Sequence, residues 1–350
     1  MSASPPGPIP GKVTSFDIAY LAGVSQPTVS RALRGDRAVS PGTREKIERI
    51  ARELNYTVDR NASSLRTQRS NTLALLFFED PTPDESHINP FFLTMLGSIT
   101  RAASARGFDL LVSFQRLEDD WHTRYEDSHR ADGLILLGYG DNTLYEKRLE
   151  QLARQGSHFV RWGPVEERQF GAVVGSDNLR AGQVVGEHLL AAGCRRIAFL
   201  GQADACYPEF RARYRGLAAV MDEAGLAAGL AQQDALNSED EGYAAVDALF
   251  ASGFSPDGVF AGSDTIAIGA MRALADHGLD VPQDVAVVGF DNIPSAALTS
   301  PSLTTVVQDT ARAAEALVDC LVRQIADGGD EALVMPTRLI VRESTTRPPR

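Results

Sequence analysis

Near its N-terminus the chain reads Ile18-Ala-Tyr-Leu-Ala-Gly-Val-Ser-Gln-Pro-Thr-Val-Ser-Arg31. This stretch and its flanks predict two short helices, Ser15–Ala22 and Gln26–Leu33, separated by a Gly-Val pair that can turn the chain. Ser25 is a suitable N-cap for the second helix, and Pro27 falls in its first turn, where a missing N–H costs little. Two helices joined by a tight glycine-containing turn form the arrangement called a helix-turn-helix.

The sequence after this stretch completes a small helical module. Gly35 ends the second helix, and a third helix is predicted to begin after Ser40. Its apolar residues recur at the spacing of one helix face: Ile47, Ile50, Ala51 and Leu54. Residues 1–12 are rich in Pro, Gly and Ser, which predicts a disordered tail before the module.

The second helix of a helix-turn-helix enters the major groove of DNA with its N-terminal side chains against base edges. Gln can pair with adenine and Arg with guanine through two hydrogen bonds each. The predicted DNA-contacting residues in and around this helix are Ser25, Gln26, Pro27, Thr28, Ser30, Arg31 and Arg34. Three short helices are also typical of a protein-binding module, so helices alone do not identify the partner.

Charge is distributed unevenly along the chain, whose formal net charge is −12. Residues 1–70 contain 11 Lys/Arg and 6 Asp/Glu, a net of +5, whereas residues 71–350 contain 23 and 40, a net of −17. A basic head on an acidic body indicates a polyanion-binding module joined to another function. The alternative is that the uneven charge reflects only solvent-exposed surface residues and has no role in binding.

Composition and motifs argue against several classes of protein. Apolar residues make up 43% of the chain, enough for sizeable cores, yet no apolar run approaches the roughly 18 residues that span a bilayer. The N-terminus lacks a signal-peptide apolar segment, and three widely spaced cysteines form no disulfide framework, so we expect a cytoplasmic protein without membrane contact. The sequence has no HExxH, P-loop or GxSxG motif, and it predicts no enzyme activity, cofactor or metal site.

Residues 18–66 resemble the LacI family of transcriptional repressors. The resemblance covers Ile18–Arg31, continues through Val39–Ile47 and Ala51–Tyr56, and reaches Asn61-Ala-Ser-Ser-Leu-Arg66. It implies a sequence-specific regulator, associated with the bacterial nucleoid, that binds double-stranded operator DNA. A homodimer is expected because one short helix reads too few base pairs for useful specificity.

The segment Asn61–Arg66 resembles the hinge helix of that family. A helix this short cannot hold itself in water, because nucleation is costly and few hydrogen bonds are gained. In the family, two hinge helices pair in the minor groove and each wedges a leucine into the central base step, which kinks the duplex. Leu65 matches that leucine, and Ala62 suits the close approach of paired helices. The resemblance assigns four residues of the segment to DNA binding: Asn61, Ala62, Leu65 and Arg66.

Residues 71–350 alternate short apolar strands with helical stretches, the pattern of an α/β fold. Because the strands are apolar at successive positions, they belong in parallel sheets covered on both faces. The predicted strands are Leu73–Phe78, Leu110–Val112, Gly133–Leu137, Phe159–Trp162, Ala172–Gly175, Ile197–Leu200, Gly258–Ala261 and Val285–Phe290. Ligands of such sheets bind beyond the carboxyl ends of the strands. Those ends carry Glu79 and Asp80, Trp162 and Gly163, Ser176 and Asp177, Gly201, Ser263 and Asp264, and Asp291 and Asn292.

This region resembles the periplasmic-binding-protein-like core of the same family, which has two doubly wound parallel-sheet subdomains around a cleft and three crossings between them. The matching phrases are Asn89–Phe92, Asp132–Ile135, Ser176–Asn178, Arg211–Arg213 with Gly216, Gly262–Met271, Val287–Asn292, Leu303–Val306 and Arg342–Thr345. The fold class implied is an all-α helix-turn-helix head followed by an α/β core.

The resemblance also implies a division of the chain. The expected parts are a tail over 1–12, a helix-turn-helix domain over 13–58, a hinge helix and linker over 59–70, and a ligand-binding and dimerisation core over 71–345. Within the core, the N-subdomain is expected over about 71–176 and 309–337, and the C-subdomain over about 177–308 and 338–345.

Carried over position by position, the resemblance implies a sugar-type ligand site in the cleft. Sugar sites combine flat apolar platforms with a few charged or amide groups that grip hydroxyls. Arg213 matches the central hydroxyl-gripping arginine, and Asp291 matches a carboxylate that faces it; a structural ion pair is the alternative. The other predicted ligand residues are Phe91, Phe92, Trp162, Asn237, Ser263 and Asp264. Ser263 stands where an asparagine is common, and Asn237 and Thr310 stand where aromatic residues are common.

One departure from the family pattern affects the choice of ligand. Many relatives carry Asp at the end of the strand His158–Gly163, where this chain has Gly163 after Arg161 and Trp162. Losing a carboxylate and gaining a Trp favours a ligand held partly by ring stacking, unless Trp162 belongs to the core. Because Arg and Asp with Ser and Asn suit hydroxyl groups, we expect a sugar or sugar derivative that acts as an inducer. A purine-like corepressor and a sugar-binding protein without DNA function are the alternatives.

Overall fold

The computed structural model describes residues 13–56, 69–77, 88–115, 119–138, 142–165 and 170–346. The chain divides into two compact units, Met1–Ser70 and Asn71–Arg350. The predicted tail over 1–12 and the predicted hinge residues Asn61, Ala62, Leu65 and Arg66 lie outside the described residues.

The described part of the first unit consists of three helices around a small apolar core. The helices are α1 (Ser15–Ala22), α2 (Gln26–Leu33) and α3 (Pro41–Glu53). Ile18, Val29 and Ile47 come from one helix each and are fully buried where the three meet. The helix-turn-helix arrangement predicted from the sequence is confirmed.

Local chemistry fixes the ends of these helices. Asp17 accepts hydrogen bonds from the backbone N–H and the hydroxyl of Thr14, at 2.8 and 2.7 Å, which closes the start of α1. Gly23 ends α1 at φ +67°, a left-handed conformation that glycine adopts without steric cost. Ser40 Oγ accepts from the backbone N–H of Thr43 at 3.3 Å and caps α3.

The second unit is an α/β structure. Its strands, in chain order, are β1 (Thr72–Phe77), β2 (Asp109–Phe114), β3 (Gly133–Leu137), β4 (Phe159–Trp162), β5 (Ala172–Ser176), β6 (Ile197–Leu200), β7 (Leu230–Gln233), β8 (Gly258–Ala261), β9 (Ala286–Asp291), β10 (Thr304–Gln308), β11 (Ala332–Met335) and β12 (Thr337–Ile340). Its α-helices are α4 (Pro90–Ala105), α5 (Asn142–Gln155), α6 (Asn178–Ala191), α7 (Pro208–Glu223), α8 (Glu239–Ala251), α9 (Asp264–Asp276) and α10 (Thr310–Asp327).

The strands form two sheets of similar layout. The first has the order β11-β5-β4-β3-β1-β2 and the second the order β12-β10-β9-β8-β6-β7. All neighbours in the first sheet are parallel. In the second, β6 to β10 are parallel to their neighbours, as predicted, and only the unpredicted edge strand β12 runs antiparallel to β10. A doubly wound arrangement leaves both faces of each sheet to be covered by helices.

The first sheet shows this double cover clearly. On one face, buried residues of β1, β3 and β4 pack in the same core as α4 and α10. On the other face, Trp121, Tyr125 and residues of α5 form a separate core with Ala74 and Leu134. Strands buried on both faces explain why the sequence is apolar at successive positions.

The chain passes between the two sheets three times. It leaves β5 at Ser176 to enter α6, leaves β10 at Gln308 to enter α10, and passes from β11 to β12 through Pro336. The crossings are hydrogen-bonded to one another, because the Asp177 N–H donates to Met335 O at 3.0 Å. Thr337 also pairs with Gln308 in the second sheet. Both sheets therefore end against this cluster of crossings.

All eight predicted strands are present, with ends within two residues of the expectation. Four strands were not predicted: β7, β10, β11 and β12. Three of them are edge strands of four residues with only partial burial, so their sequences lack the continuous apolar signal. The fourth, β10, begins with two buried threonines whose hydroxyls are hydrogen-bonded. Among the described residues, no helix has both the length and the apolar character required to cross a bilayer.

Candidate DNA-reading surface and effector site

The core of the first unit determines which side chains of α2 face outward. Val29 and Ala32 are buried against α1 and α3, which leaves the opposite face of α2 available. Pro27, Arg31 and Arg34 are exposed on that face. A short helix that presents a proline ring and two guanidinium groups on one face is suited to reading base edges in the major groove.

Several predicted contact residues are held in place by hydrogen bonds. Ser25 Oγ and Thr28 Oγ1 are 2.8 Å apart at the start of α2. Gln26 Nε2 donates to Ser15 Oγ at 3.1 Å, which ties the two helices of the motif together. Arg34 Nη1 donates to Ser30 Oγ at 2.9 Å. This ordering limits the entropy that these side chains lose on binding.

Two aromatic side chains on α1 were not predicted as contact residues. Phe16 and Tyr20 are 71% and 85% exposed and lie four residues apart on one helix face. They do not belong to the apolar face that carries Ile18 and Ala22, and this mismatch with the core spacing is the signal in the sequence that identifies them. Exposed aromatic residues beside a DNA-reading helix extend the candidate surface.

In the second unit, Arg213 of α7 is a fully buried charged residue predicted for the ligand site. Its side chain has no exposed surface. Nε donates to Asn178 Oδ1 at 2.8 Å, and Nη1 donates to the carbonyl of Gly262. The guanidinium carbon lies 3.5 Å from the ring centroid of Phe290, so the cation rests on the aromatic face.

Asp291 directly follows Phe290 and is the last residue of β9. It is 4% exposed, and its Oδ1 accepts a hydrogen bond from Gln308 Nε2 at 2.7 Å. Its backbone has φ +108°, a conformation that residues other than glycine rarely adopt. The end of β9 therefore presents the aromatic support of Arg213 and the predicted ligand carboxylate on adjacent residues.

Asp264 is fully buried at the start of α9, and both its oxygens are hydrogen-bonded within the same subdomain. The hydroxyl of Thr305 donates to Oδ1, and the N–H of Ile293 donates to Oδ2 at 2.8 Å. Burial, together with the nearby charge of Asp291, raises the pKa of the Asp264 carboxyl well above its ordinary value of 3.8. In this arrangement Asp264 fixes the turn that follows Asp291.

Ser263 and Asn237 are brought together at the N-termini of α8 and α9. Ser263 Oγ caps α9 by accepting from the N–H of Ile266 at 3.2 Å, and it donates to Asn237 Oδ1. Asn237 immediately precedes Ser238, which caps α8. The pair joins two loops that follow strands of the second sheet, at its carboxyl edge.

The predicted aromatic residues form one cluster in the first subdomain. The ring of Phe91 lies 5.2 Å from that of Phe92 and 6.1 Å from that of Trp162, measured between centroids. All three are buried within the apolar core that also contains residues of β1 and β3. Asn89 Oδ1 accepts from the N–H of Phe91 at 2.9 Å and fixes the start of α4 beside the cluster.

Gly163 lies between two charged side chains. A Cβ placed on Gly163 would lie 2.9 Å from Arg161 Nη1 and 3.7 Å from Glu209 Oε1. Arg161 belongs to β4 of the first sheet and donates through Nη2 to Pro164 O at 3.1 Å, whereas Glu209 lies in the first turn of α7. The position thus has a cation from one subdomain and an anion from the other beside it.

Sequence reasoning missed two residues that the structure joins directly to the site: Asn178, which accepts from Arg213 Nε, and Gln308. Gln308 contacts Asp291 and also accepts from Ser176 Oγ at 2.6 Å. It is the last residue of β10, so the rule that ligands bind at strand ends would have selected it had that strand been predicted.

Two family models match this chain. Residues 16–59 match the model described as bacterial regulatory proteins, lacI family. Residues 186–345 match the periplasmic binding protein-like domain. The first match covers the three-helix unit, and the second covers most of the second sheet with its helices.

Relatives of similar length match nearly the whole chain. The HTH-type transcriptional regulator CelR of Thermobifida fusca is 33% identical over 338 residues, which cover 93% of this chain and 96% of that one. The ribose operon repressor of Escherichia coli K12 is 30% identical over 319 residues, which cover 89% and 93% of the two chains.

Solved structures show the same architecture. The lac repressor dimer bound to operator and the anti-inducer ONPF superposes with a TM-score of 0.80 at 25% identity, covering 96% of this chain and 100% of that one. The complex of the transcriptional regulator CelR with cellobiose gives a TM-score of 0.68 at 30% identity and covers 95% and 100%. With both modules in the same order and homology along nearly its full length, the chain belongs to the lacI family of bacterial regulatory proteins.

Proposed function

We propose that this chain is a DNA-binding transcriptional repressor that a sugar or sugar derivative releases from its operator. The observation that carries the proposal is the presence, on one chain, of a helix-turn-helix with an exposed reading helix and an α/β unit with Arg213 on α7 and Asp291 at the end of β9. The relatives named above as a ribose operon repressor and as a regulator complexed with cellobiose support the sugar. Binding and release, rather than catalysis, is the role assigned to the site, and no cofactor is required.

For DNA, the proposed contact residues are those of α2 and the hinge. Arg31, Gln26 and Pro27 are assigned to base edges, with Ser25, Thr28, Ser30 and Arg34 beside them. Asn61, Ala62, Leu65 and Arg66 are assigned to the minor groove, within a hinge and linker over 59–70 that joins the domain over 13–58 to the core over 71–345. This division keeps reading and effector binding on separate parts of the chain.

We infer that the chain acts as a homodimer. One eight-residue reading helix contacts only a few base pairs, so two half-sites are required for useful specificity. The second unit carries exposed large apolar side chains that a second copy can cover: Leu93 on α4, Val112 and Phe114 on the edge strand β2, and Leu298 after β9. Leu298 is the most exposed of these at 83%.

The proposed ligand chemistry follows from the donors and acceptors at the site. Arg213 can only donate hydrogen bonds, and an ionised Asp291 can only accept them. A sugar hydroxyl does both, so one hydroxyl can accept from the arginine while another donates to the carboxylate. Phe91 and Trp162 are buried in the apolar core of the first subdomain, so the proposed ligand chemistry rests on Arg213 and Asp291.

Release is proposed to result from a change in the angle between the two subdomains. The paired hinge helices require a narrow spacing across the dimer, because neither helix is stable alone. A ligand that favours the wider spacing unfolds them and lowers operator affinity. By linkage, DNA must weaken ligand binding by the same factor, typically about 5–150-fold.

The test is titration of the purified protein onto DNA from the region upstream of its own gene, followed by fluorescence anisotropy. The panel contains cellobiose, ribose, other mono- and disaccharides, and purines. We expect one sugar to weaken operator binding. If a purine tightens binding instead, the chain is a corepressor-dependent regulator; if the protein binds no DNA in any arm, the repressor proposal is wrong.

A further inference from the structure

A continuous chain of hydrogen bonds connects the two charged residues of the effector site. Arg213 Nε donates to Asn178 Oδ1 at 2.8 Å, and Asn178 Nδ2 donates to the backbone carbonyl of Ser176 at 3.1 Å. Ser176 Oγ donates to Gln308 Oε1 at 2.6 Å, and Gln308 Nε2 donates to Asp291 Oδ1 at 2.7 Å. We propose that Gln308 is a positioning residue whose hydrogen bonds couple effector contact at the Asp291 carboxylate to the crossings between the subdomains. This inference rests on the proposed function, because it assigns the route by which an effector at Asp291 changes the interdomain angle.

The position of the chain in the fold gives it this role. Ser176 ends β5 in the first sheet, and Gln308 ends β10 in the second, so their side-chain bond joins the two sheets directly. Gln308 also pairs with Thr337 in the third crossing, and the first crossing donates from Asp177 N–H to Met335 O. Any rotation of one sheet relative to the other must therefore displace the Ser176–Gln308 pair.

The chemistry of the amide explains why a glutamine suits this position. A carboxylate can only accept, so Nε2 of Gln308 must face Asp291, and this leaves Oε1 for the hydroxyl of Ser176. A single side chain thus holds a donor toward one partner and an acceptor toward the other. Because Gln308, Ser176 and Asp291 are all buried, losing either bond leaves polar atoms away from water, which strengthens their mutual dependence.

A second buried glutamine provides a matched control. Gln324 lies on α10 and donates through Nε2 to Asp330 Oδ1 at 2.7 Å. This bond stays within the first subdomain and joins no residue of the three crossings. Gln324→Met and Gln308→Met therefore remove the same chemical group at comparable burial, but only the second variant breaks the link between the sheets.

The experiment measures backbone hydrogen exchange by mass spectrometry on the full chain, without DNA or ligand. In Gln308→Met, we expect exchange in the peptides that contain Asp177 and Thr337 to become about tenfold faster, with β6 (Ile197–Leu200) unchanged as an internal reference. Gln324→Met should leave the crossing peptides at the wild-type rate. Unchanged crossings in Gln308→Met, or equal acceleration in β6, would show a merely structural role and overturn the proposal.

The coupling itself is tested with a double-mutant cycle. Asp291→Ala alone should accelerate exchange at the crossings, and it should add nothing further in the Gln308→Met background, because the route from Asp291 is already broken. Additive effects would mean that the two residues act independently, and the inference would be wrong. If Gln308→Met does not fold, Ser176→Ala breaks the same bond from the other side and replaces it in the cycle.

The outcome is independent of the proposed function, since no arm of the cycle contains a sugar or DNA. If exchange is coupled but no tested sugar releases the operator, the Gln308 link stands and the inducer assignment is wrong. If a sugar releases the operator but the effects of the two substitutions on exchange are additive, the proposed function stands and the Gln308 link is wrong.

Discussion

The guanidinium of Arg213 rests on the ring of Phe290, with its central carbon 3.5 Å from the ring centroid, and Phe290 directly precedes Asp291. One strand end therefore supports the arginine and supplies the carboxylate. This relationship fixes the distance between the donor and acceptor groups of the site through two adjacent residues of β9 rather than through flexible loops. Movement of that strand end changes both groups together.

Arg213→Lys should abolish the response to the effector while leaving operator binding within about twofold of wild type. Lysine keeps the positive charge but lacks the planar face that stacks on Phe290 and the second donor that reaches Gly262. Operator titration with and without the sugar identified in the panel measures the response. A full response in this variant, or in Arg213→Ala, would show that the assigned site is wrong.

Arg31→Ala should cost about 1–3 kcal/mol of operator binding and relax specificity at one base-pair position. Arg31 is exposed on the face of α2 that reading requires. The matched control is Arg49→Ala, an exposed arginine on α3 that pairs with Glu53 at 3.5 Å. Binding to a library of operators with single-base changes makes the distinction, because an equal loss on every sequence would identify Arg31 as a phosphate contact.

Leu65→Ala should weaken specific operator binding and reduce the bend in the DNA, because an apolar wedge kinks the duplex and allows further contacts. Ligand affinity of the DNA-free protein should not change. Circular-permutation gel shift measures the bend, and calorimetry measures the ligand. An unchanged bend angle would place Leu65 in an ordinary linker.

Leu298→Asp should convert the homodimer to a monomer in light scattering and remove cooperative operator binding. The side chain is 83% exposed, so the substitution removes no contact within the chain, and the fold should be retained. Burying the new carboxylate in an interface would cost far more than the apolar contact contributed. A variant that remains dimeric would exclude this surface from the interface.

Asp264 should make stability fall with rising pH. Its folded pKa is raised above the ordinary value of 3.8, chiefly by burial and then by Asp291, so the native state binds a proton more tightly than the unfolded chain. The stabilisation is complete below pH 3.8 and is lost as the pH rises through the raised value, with a slope of at most about 1.4 kcal/mol per pH unit. Urea unfolding of wild type and Asp264→Asn at pH 5, 6, 7 and 8 tests this. If the free energy of unfolding changes with pH to the same extent in both proteins, the prediction is contradicted.

The fold could be anticipated because its determinants are local. The first helix of the helix-turn-helix carries its own caps at Thr14 and Gly23, and strands that are buried on both faces are largely apolar, as in β3, where all five residues are buried. The edge strands could not be anticipated in the same way, since β7 and β12 owe their conformation to the neighbouring strand rather than to their own side chains. The intrinsic β-propensity of a segment does not predict a strand whose conformation depends on pairing with a neighbouring strand.

The candidate site was less accessible from the sequence. Arg213 and Asp291 could be selected by resemblance, but the partners that hold them, Asn178 and Gln308, are 35 and 17 residues away from them in the chain. Hydrogen bonds between such distant residues depend on how the sheets end against each other, which no local pattern records. Likewise, the sequence shows Arg161 only as a charged residue in an apolar strand, whereas the structure shows its guanidinium beside Gly163.

Gly163 and Arg161 constrain how the specificity of this regulator could have diverged from that of its relatives. Because a Cβ on Gly163 would lie only 2.9 Å from Arg161 Nη1, an aspartate placed there alone would require the guanidinium to shift and would pair with it rather than with a sugar. An aspartate at this position would be open to a ligand only if Arg161 were replaced as well. A change of ligand specificity through Gly163 is therefore expected to require a paired change at Arg161.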